Sequence, residues 1–157
     1  MGSGQGQKLA GTVVDEVVNR AVILLNTPRL VLRRFVEADL DDLAALHGNP
    51  DVMRYIDGGP GVPRTVVAEQ TLPVILREYQ SLPDGLGRFA AVDRGSGAFL
   101  GWFSLRPANS VGLESGTELG YRLKPDAWGR GYATEGAGAL VMWGSRNSAW
   151  IGWSLRR

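Results

Sequence analysis

Apolar and polar side chains alternate over four short stretches of the chain, and a period of two is typical of β-strands. The predicted strands cover residues 30–35, 88–92, 98–106 and 117–123. The third strand is expected to carry Phe99, Gly101, Phe103 and Leu105 on one face, and Leu100, Trp102 and Ser104 on the other. Residues 93–97, Asp-Arg-Gly-Ser-Gly, join the second and third strands as a hairpin-type loop.

Apolar residues three and four positions apart predict helices in the other segments. These helices are expected to begin at Leu40, at Pro50, near Thr65 and near Tyr132. Asp39 is expected to cap the first, which stops at Gly48, and Asn49 to cap the second. Pro73 lies inside the third helix and should kink or split it.

The order of these elements is strand, two or three helices, three strands and a helix. This order predicts an α+β domain with a mixed or mostly antiparallel sheet. The domain is expected to occupy residues 26–157, after a partly disordered N-terminal extension at residues 1–25. The length of 157 residues suits one domain, and no internal repeat is present.

Composition excludes several classes of function. With 44% hydrophobic and 21% charged residues the chain has enough apolar material for a core. Its formal net charge of +1 gives no reason to expect a nucleic acid or a membrane surface as partner. The absence of cysteine excludes a disulfide framework and thiolate metal sites, and no metal site is predicted. No apolar run is long enough for a transmembrane helix and no signal peptide is indicated, so a cytoplasmic location is expected.

The candidate chemistry lies in residues 118–135, Glu-Leu-Gly-Tyr-Arg-Leu-Lys-Pro-Asp-Ala-Trp-Gly-Arg-Gly-Tyr-Ala-Thr-Glu. Gly129 and Gly131 let the main chain approach a ligand closely, and the helix that follows adds unpaired N–H donors. Arg130 adds a charged fork, and together these groups suit a pyrophosphate. The glycines alone favour a plain structural bend. The stretch lacks the Gly-Lys-Ser/Thr of a P-loop and the third glycine of a dinucleotide fingerprint.

The same segment resembles the acetyl-CoA motif of the GNAT superfamily of N-acetyltransferases, Gln/Arg-x-x-Gly-x-Gly/Ala, which aligns with residues 128–133. Trp128 departs from that general pattern and matches the ribosomal-protein-alanine acetyltransferase branch, which carries Trp-Gly-x-Gly-Tyr-Ala-Thr-Glu. The branch's first strand matches Thr27-Pro28-Arg29-Leu30-Val31-Leu32-Arg33, and its fourth matches Glu118-Leu119-Gly120-Tyr121. The resemblance covers roughly Asn26 to Gly144.

The resemblance implies a GNAT-like, mostly antiparallel sheet flanked by helices. It also implies transfer of an acetyl group from acetyl-CoA to a primary amine, on a protein N-terminus or a small molecule, by direct attack on the thioester. A backbone N–H near Gly120 or Tyr121 would stabilise the oxyanion. The implied acetyl-CoA-binding residues are Tyr121, Arg122 and Leu123 for the pantetheine arm, and Trp128, Gly129, Arg130, Gly131, Tyr132, Ala133 and Thr134 around the pyrophosphate.

Glu118 is predicted to be the base that removes the ammonium proton, because it lies on the strand that enters the site. A solvated or salt-bridged strand carboxylate is an equally good interpretation. Trp102 and Ser104 are predicted to line the acceptor pocket, with ordinary core packing as the alternative for Trp102. His47 and Glu135 are interpreted as helix-end residues without a catalytic role. Attraction of an acidic acceptor is one interpretation of Arg29, Arg33 and Arg34, but a solvated strand face is the simpler explanation.

The family continues after its last helix with strands and a further helix, and these elements are expected to be missing here. Residues 145–157 show neither period, and one hypothesis is a shifted reading frame, which sequencing of the gene would test. Weak or absent activity is expected of the monomer, so a homodimer is a possible assembly. Two alternatives stay open: an inactive remnant that binds coenzyme A or acts as an interaction partner, and a nucleotide-binding module without transferase chemistry.

Overall fold

The structure, a computed structural model, describes residues 22–112, 114–147 and 153–155. In this part of the chain six β-strands form one sheet. The strands are β1 (Ile23–Asn26), β2 (Leu30–Arg34), β3 (Gly87–Asp93), β4 (Phe99–Pro107), β5 (Thr117–Leu123) and β6 (Trp153–Leu155). They lie side by side in chain order, each antiparallel to its neighbour except β6, which runs parallel to β5. The predicted α+β fold with a mostly antiparallel sheet is therefore confirmed.

Helices cover both faces of this sheet. They are α1 (Leu40–Gly48), α2 (Pro50–Met53), α3 (Arg64–Val66), α4 (Leu72–Ser81) and α5 (Tyr132–Arg146). A π-helical turn, Val67–Thr71, joins α3 to α4. The turn ends two residues before Pro73, which has no backbone N–H to donate to the helical hydrogen bonds. The break that Pro73 predicted in this helix is therefore present as a π-helical turn.

The two faces of the sheet carry separate apolar clusters. On one face α5 packs through Leu140 against Phe89, Phe103 and Leu119. On the other face α1 and α4 pack against Ala90, Phe99 and Trp102 through Leu43, Ile75 and their neighbours. The sheet is thus a central layer between two helical layers, and the candidate functional residues lie at its β5 end.

Phe99 does not share a face with Phe103, so that part of the sequence prediction is wrong. The register passes from Ala91↔Gly101 to Val92↔Phe99, which leaves Leu100 as an extra residue in β4. A bulge of this kind moves every residue before it to the opposite face.

Asp39 precedes α1 as expected, but it does not cap that helix. Its carboxylate accepts two hydrogen bonds from the Arg33 guanidinium, each 2.8 Å long, and a third from the Val36 N–H at 2.8 Å. The buried carboxylate therefore fixes the turn before α1, because only a paired charge is tolerated there. Arg33, expected on a solvated strand face, is its partner.

The sheet begins and ends differently from the expected domain. Strand β1 begins at Ile23, before the expected start near Asn26, and β6 lies in the segment for which the sequence indicated no strand. Most of the expected N-terminal extension, residues 1–21, lies outside the described residues. Among the helices that are described, none has both the length and the apolar character needed to cross a bilayer.

Candidate functional site

The outer edge of β5 is paired with another strand over its first half only. Thr117 pairs with Trp153, Glu118 with Ser154, and Leu119 with Leu155, and no described residue continues the ladder beyond Leu119. The second half of β5 therefore presents an open edge in the described part of the chain, where an extended ligand can add like a strand.

The direction of the backbone groups on this edge follows from strand alternation. The Lys124 N–H donates to the Leu100 carbonyl of β4. The Arg122 carbonyl also faces β4, because a Cβ on Gly101 would lie 2.1 Å from that oxygen. Alternation then turns the N–H and C=O groups of Tyr121 and Leu123 outward.

This geometry corrects one predicted contact. The backbone of Arg122 faces the neighbouring strand, so it does not suit the pantetheine role that was predicted for it. The outward carbonyl of Leu123 already accepts a hydrogen bond of 2.9 Å from the Trp128 indole. The groups left for a ligand are the Tyr121 N–H, the Tyr121 C=O and the Leu123 N–H.

A bend with unpaired N–H groups follows at residues 129–134. Gly129 and Gly131 have φ values of 70° and 81°, in the region that side-chain-bearing residues rarely adopt. Within the described chain, none of the six N–H groups from Gly129 to Thr134 donates to a protein acceptor. The first turn of α5 therefore presents its N–H groups and its positive dipole end to whatever lies in front of it.

The bend and the open edge of β5 border the same cavity, of about 430 Å³. Its lining consists of Tyr121, Leu123, Ala127, Trp128, Gly129, Gly131, Tyr132, Ala133 and Thr134. The predicted cofactor residues are thus brought together, apart from Arg122 and Arg130. Arg130 lines a neighbouring cavity of about 240 Å³ that includes Lys124 and Asp126.

Glu135 holds the bend in place across the chain. Its carboxylate accepts hydrogen bonds from the Thr27 hydroxyl at 2.5 Å, the Arg29 N–H at 3.0 Å and the Arg29 guanidinium at 2.8 Å. Arg29 also donates to the Arg130 carbonyl at 2.9 Å and lies over the Tyr132 ring. Although partial burial raises the pKa of Glu135, hydrogen bonds from Thr27 and Arg29 hold it below its usual value. This carboxylate is a structural anchor, and Arg29 is its partner.

A smaller cavity, of about 160 Å³, lies on the other side of β5. Its walls are formed by Val52, Tyr55, Ile56, Tyr121, Arg122, Leu123 and Trp128. Tyr121, Leu123 and Trp128 line both cavities, so the two spaces adjoin at the end of β5. The side chain of Arg122 contributes the positive charge of this smaller cavity.

His47 is part of this site, which the sequence did not indicate. Its Nε2 accepts a hydrogen bond of 3.1 Å from the Trp102 indole and lies 3.2 Å from the Arg122 guanidinium. Burial and the charge of Arg122 lower the pKa of His47 to about 3, so the imidazole is neutral at physiological pH. A lone histidine at a helix end gives no sequence signal for this, because its partners are 55 and 75 residues away.

The residues predicted for catalysis and acceptor binding lie on one face of the sheet. Glu118 is half-buried and pairs with Arg106 at 3.2 Å. Ser104 is fully buried beneath Gly120, where an added Cβ would approach its hydroxyl to 2.8 Å. Trp102 is 7% exposed and belongs to the core cluster on this face. Core packing, the alternative considered for Trp102, is therefore present, while Ser104 is shielded from both cavities.

The family model for the acetyltransferase (GNAT) domain matches residues 29–154 of the chain. No curated protein matches this chain. Among solved structures, the GNAT-family acetyltransferase from Bacillus anthracis is 22% identical, with a TM-score of 0.59 over 78% of this chain and 66% of that one. The acetyltransferase from Agrobacterium tumefaciens str. C58 is 26% identical, with a TM-score of 0.61 over 78% of this chain and 67% of that one.

A protein from Vibrio cholerae, described as a ribosomal-protein-serine acetyltransferase, is 16% identical, with a TM-score of 0.60 over 80% of this chain and 67% of that one. The chain thus spans about two thirds of the length of the solved structures that it matches.

Proposed function

Since this chain belongs to the GNAT acetyltransferase family, we propose that it transfers an acetyl group from acetyl-CoA to a primary amine by direct attack on the thioester. The observation that supports this most directly is the set of unpaired N–H groups at residues 129–134 beside a cavity of about 430 Å³. A diphosphate needs several converging N–H donors, and an extended arm with amide groups needs a strand edge. The bend and the β5 edge border one cavity, so a single molecule that carries both groups fits it.

Each part of this cavity has its own proposed role. The N–H groups of residues 129–134 bind the pyrophosphate, and the Tyr121 C=O and Leu123 N–H bind the amides of the pantetheine arm. The Tyr121 N–H then faces the thioester carbonyl and stabilises the negative charge that develops on its oxygen. No metal is needed for these roles.

The acceptor amine is proposed to enter through the smaller cavity and to attack in its neutral form, which forms the C–N bond. The C–S bond then breaks, and the coenzyme A thiolate takes up the proton that the nitrogen releases, directly or through water. Glu118 remains the proposed base, directly or through a water molecule. Because its carboxylate is bound to Arg106, it must exchange that contact for a water or the ammonium group when it takes the proton.

An assay of thiol release from acetyl-CoA with a panel of amines tests the reaction. Glu118→Gln should lower kcat and leave the Kd for acetyl-CoA unchanged, since the predicted role is proton removal. Glu69→Gln, at an exposed position on the π-helical turn, serves as the control. An unchanged kcat in Glu118→Gln would exclude Glu118 as the base.

Binding measurements separate the alternatives. Binding of acetyl-CoA without binding of ATP or NAD removes the nucleotide-binding module. Binding of acetyl-CoA without thiol release for any amine favours an inactive protein that binds coenzyme A. No binding of acetyl-CoA refutes the proposed function itself.

The finer assignment is to the ribosomal-protein-alanine acetyltransferase-like branch, on the strength of residues 128–135. The Vibrio cholerae neighbour, described as acting on a ribosomal protein, keeps a protein N-terminus among the candidate acceptors beside small molecules. We place the reaction in the cytoplasm, where acetyl-CoA is available, with neither a nucleic acid nor a membrane as partner. A homodimer is the assembly proposed, which size-exclusion chromatography with light scattering would test.

A further inference from the structure

We propose that the acceptor is a small amine that carries a carboxylate, and that the Arg122 side chain binds this carboxylate. The inference rests on the proposed function and names the substrate class for the same site. It selects the small molecule among the acceptors that the proposed function leaves open. Aminoglycosides and polyamines bring additional positive charges instead of a negative one, and the first residue of a protein has its α-carboxyl group in a peptide bond.

Within the described residues, no carboxylate pairs with the positive charge of Arg122. Among the described arginines, those that are not exposed are Arg33, Arg34, Arg88, Arg106 and Arg122. The first four each have a carboxylate within 4.0 Å, namely Asp39, Asp84, Glu78 and Glu118. Arg122 has none in the described chain, and Asp57 attracts it only over a longer distance.

The guanidinium is held by neutral groups that fix its position and leave its charge available. The His47 imidazole contacts it, with Nε2 at 3.2 Å, and the Trp102 ring lies beneath it at 5.2 Å. The Arg122 Nε is buried and has no hydrogen-bond partner among the described residues, as is also true of the Arg106 Nε. A half-buried cation is costly unless an opposite charge pairs with it.

The electrostatic surroundings point to an anion. Burial, followed by the charges of Arg88 and Arg106, lowers the pKa of Arg122 to about 10, so the group stays protonated at physiological pH. The pairs Arg88–Glu78 and Arg106–Glu118 are each neutral, so Arg122 is the described arginine of β3, β4 and β5 that lacks an ion-pair partner. A carboxylate binds a guanidinium through two parallel hydrogen bonds and is its natural complement.

The size and walls of the cavity limit the rest of the acceptor. The space is about 160 Å³, which holds a group of amino-acid size. Its other walls include Val52, Tyr55, Ile56 and Trp128, which offer apolar contact to the stem of the acceptor. The acceptor therefore combines an amine, a short stem and a carboxylate.

Matched acceptor pairs test this proposal. Each pair consists of an amine with a free carboxylate and its carboxamide, for example alanine with alaninamide and β-alanine with β-alaninamide, and spermidine serves as the polycation. The quantity of interest is the ratio of kcat/KM within a pair, compared between the unmodified protein and Arg122→Gln. Intrinsic differences in amine reactivity cancel in this double ratio.

We expect the carboxylate-to-carboxamide ratio of kcat/KM to be about 10- to 100-fold higher in the unmodified protein than in Arg122→Gln, the range that hydrogen bonds to charged groups give. Arg122→Lys, which keeps the charge without the two-pronged geometry, should retain part of the preference. Arg64→Gln, on an exposed arginine that pairs with Asp41 on the surface, should leave it unchanged. A double ratio near one, or faster acetylation of spermidine than of every carboxylate, overturns the proposal.

Calorimetry of the same pairs, with and without coenzyme A, gives a readout that does not depend on turnover or on the Arg122→Gln variant. Tighter binding of the carboxylate member by the unmodified protein supports the proposal, and equal binding overturns it. Failure of acetyl-CoA to bind refutes the acetyltransferase function instead, so the two failures are distinguishable.

Discussion

Two glycines of α5 should respond to the same substitution with opposite signs. Gly136 and Gly138 are separated by one residue in the helix, and each should weaken the helix by roughly 1 kcal/mol relative to alanine. A Cβ on Gly138 would meet no atom within 4 Å. A Cβ on Gly136 would lie 2.3 Å from the ring of Phe103, which is fully buried.

The expected magnitudes follow from these contacts. Gly138→Ala should stabilise the protein by about 1 kcal/mol, which raises Tm by roughly 2–4 °C in a domain of this size. Gly136→Ala has the same helical gain but forces the Phe103 ring to move, and overpacking of a core costs about 1–3 kcal/mol. The net effect of Gly136→Ala is a loss of up to about 2 kcal/mol, and the difference between the two variants isolates the packing cost.

Urea denaturation followed by circular dichroism measures both variants, with the m-value as a check that the same surface is exposed. A third substitution supplies the control: on a Phe103→Leu background, Gly136→Ala should become neutral or stabilising, because the ring that it meets is gone. The packing argument fails if Gly136→Ala stabilises as much as Gly138→Ala, or if its penalty persists without the Phe103 ring.

Three further predictions concern the site. The pKa of His47 is about 3 in the folded protein and 6.5 in the unfolded chain. Between pH 3 and pH 6.5 the unfolded chain therefore binds one proton more than the folded protein, so the free energy of unfolding falls as the pH drops below 6.5. At pH 5 this loss is about 2 kcal/mol, and His47→Gln should remove that part of the pH dependence in urea titrations. Gly131→Ala and Gly112→Ala both place alanine at φ 81°, so each should lose about 1–2 kcal/mol, but only the former should weaken acetyl-CoA binding in calorimetry. Glu135→Gln should cost about 1 kcal/mol and raise the Kd for acetyl-CoA, and an unchanged Kd would show that the bend keeps its shape without this anchor.

The sequence predicted the parts of the fold that depend on local patterns. The strand Thr117–Leu123 and the helix Leu40–Gly48 agree with the structure at both ends, because alternation and helical spacing are local properties. The glycine bend was predicted for the same reason, since only glycine suits its positive φ values.

The parts that depend on distant partners were not predictable. The bulge at Leu100 follows from pairing with β3, and it reversed the expected face of Phe99. His47 and Arg122 meet because α1 packs over the end of β5, which no pattern near either residue indicates. The direction of the Arg122 backbone depends on the register with β4. The sequence therefore assigned its main chain to the ligand, whereas in the structure its side chain lines the smaller cavity.

The half-paired edge of β5 links the abundance of the protein to the supply of its ligand. Under the proposed function, coenzyme A forms hydrogen bonds with the outward backbone groups of Tyr121 and Leu123 in the folded state only. Binding of coenzyme A therefore shifts the folding equilibrium towards the folded protein. At a ligand concentration of one hundred times Kd this adds about 2.7 kcal/mol, enough to lower the unfolded fraction roughly a hundredfold. Since unfolded chains are the ones that proteases degrade, a cell short of acetyl-CoA would lose the protein itself as well as its activity.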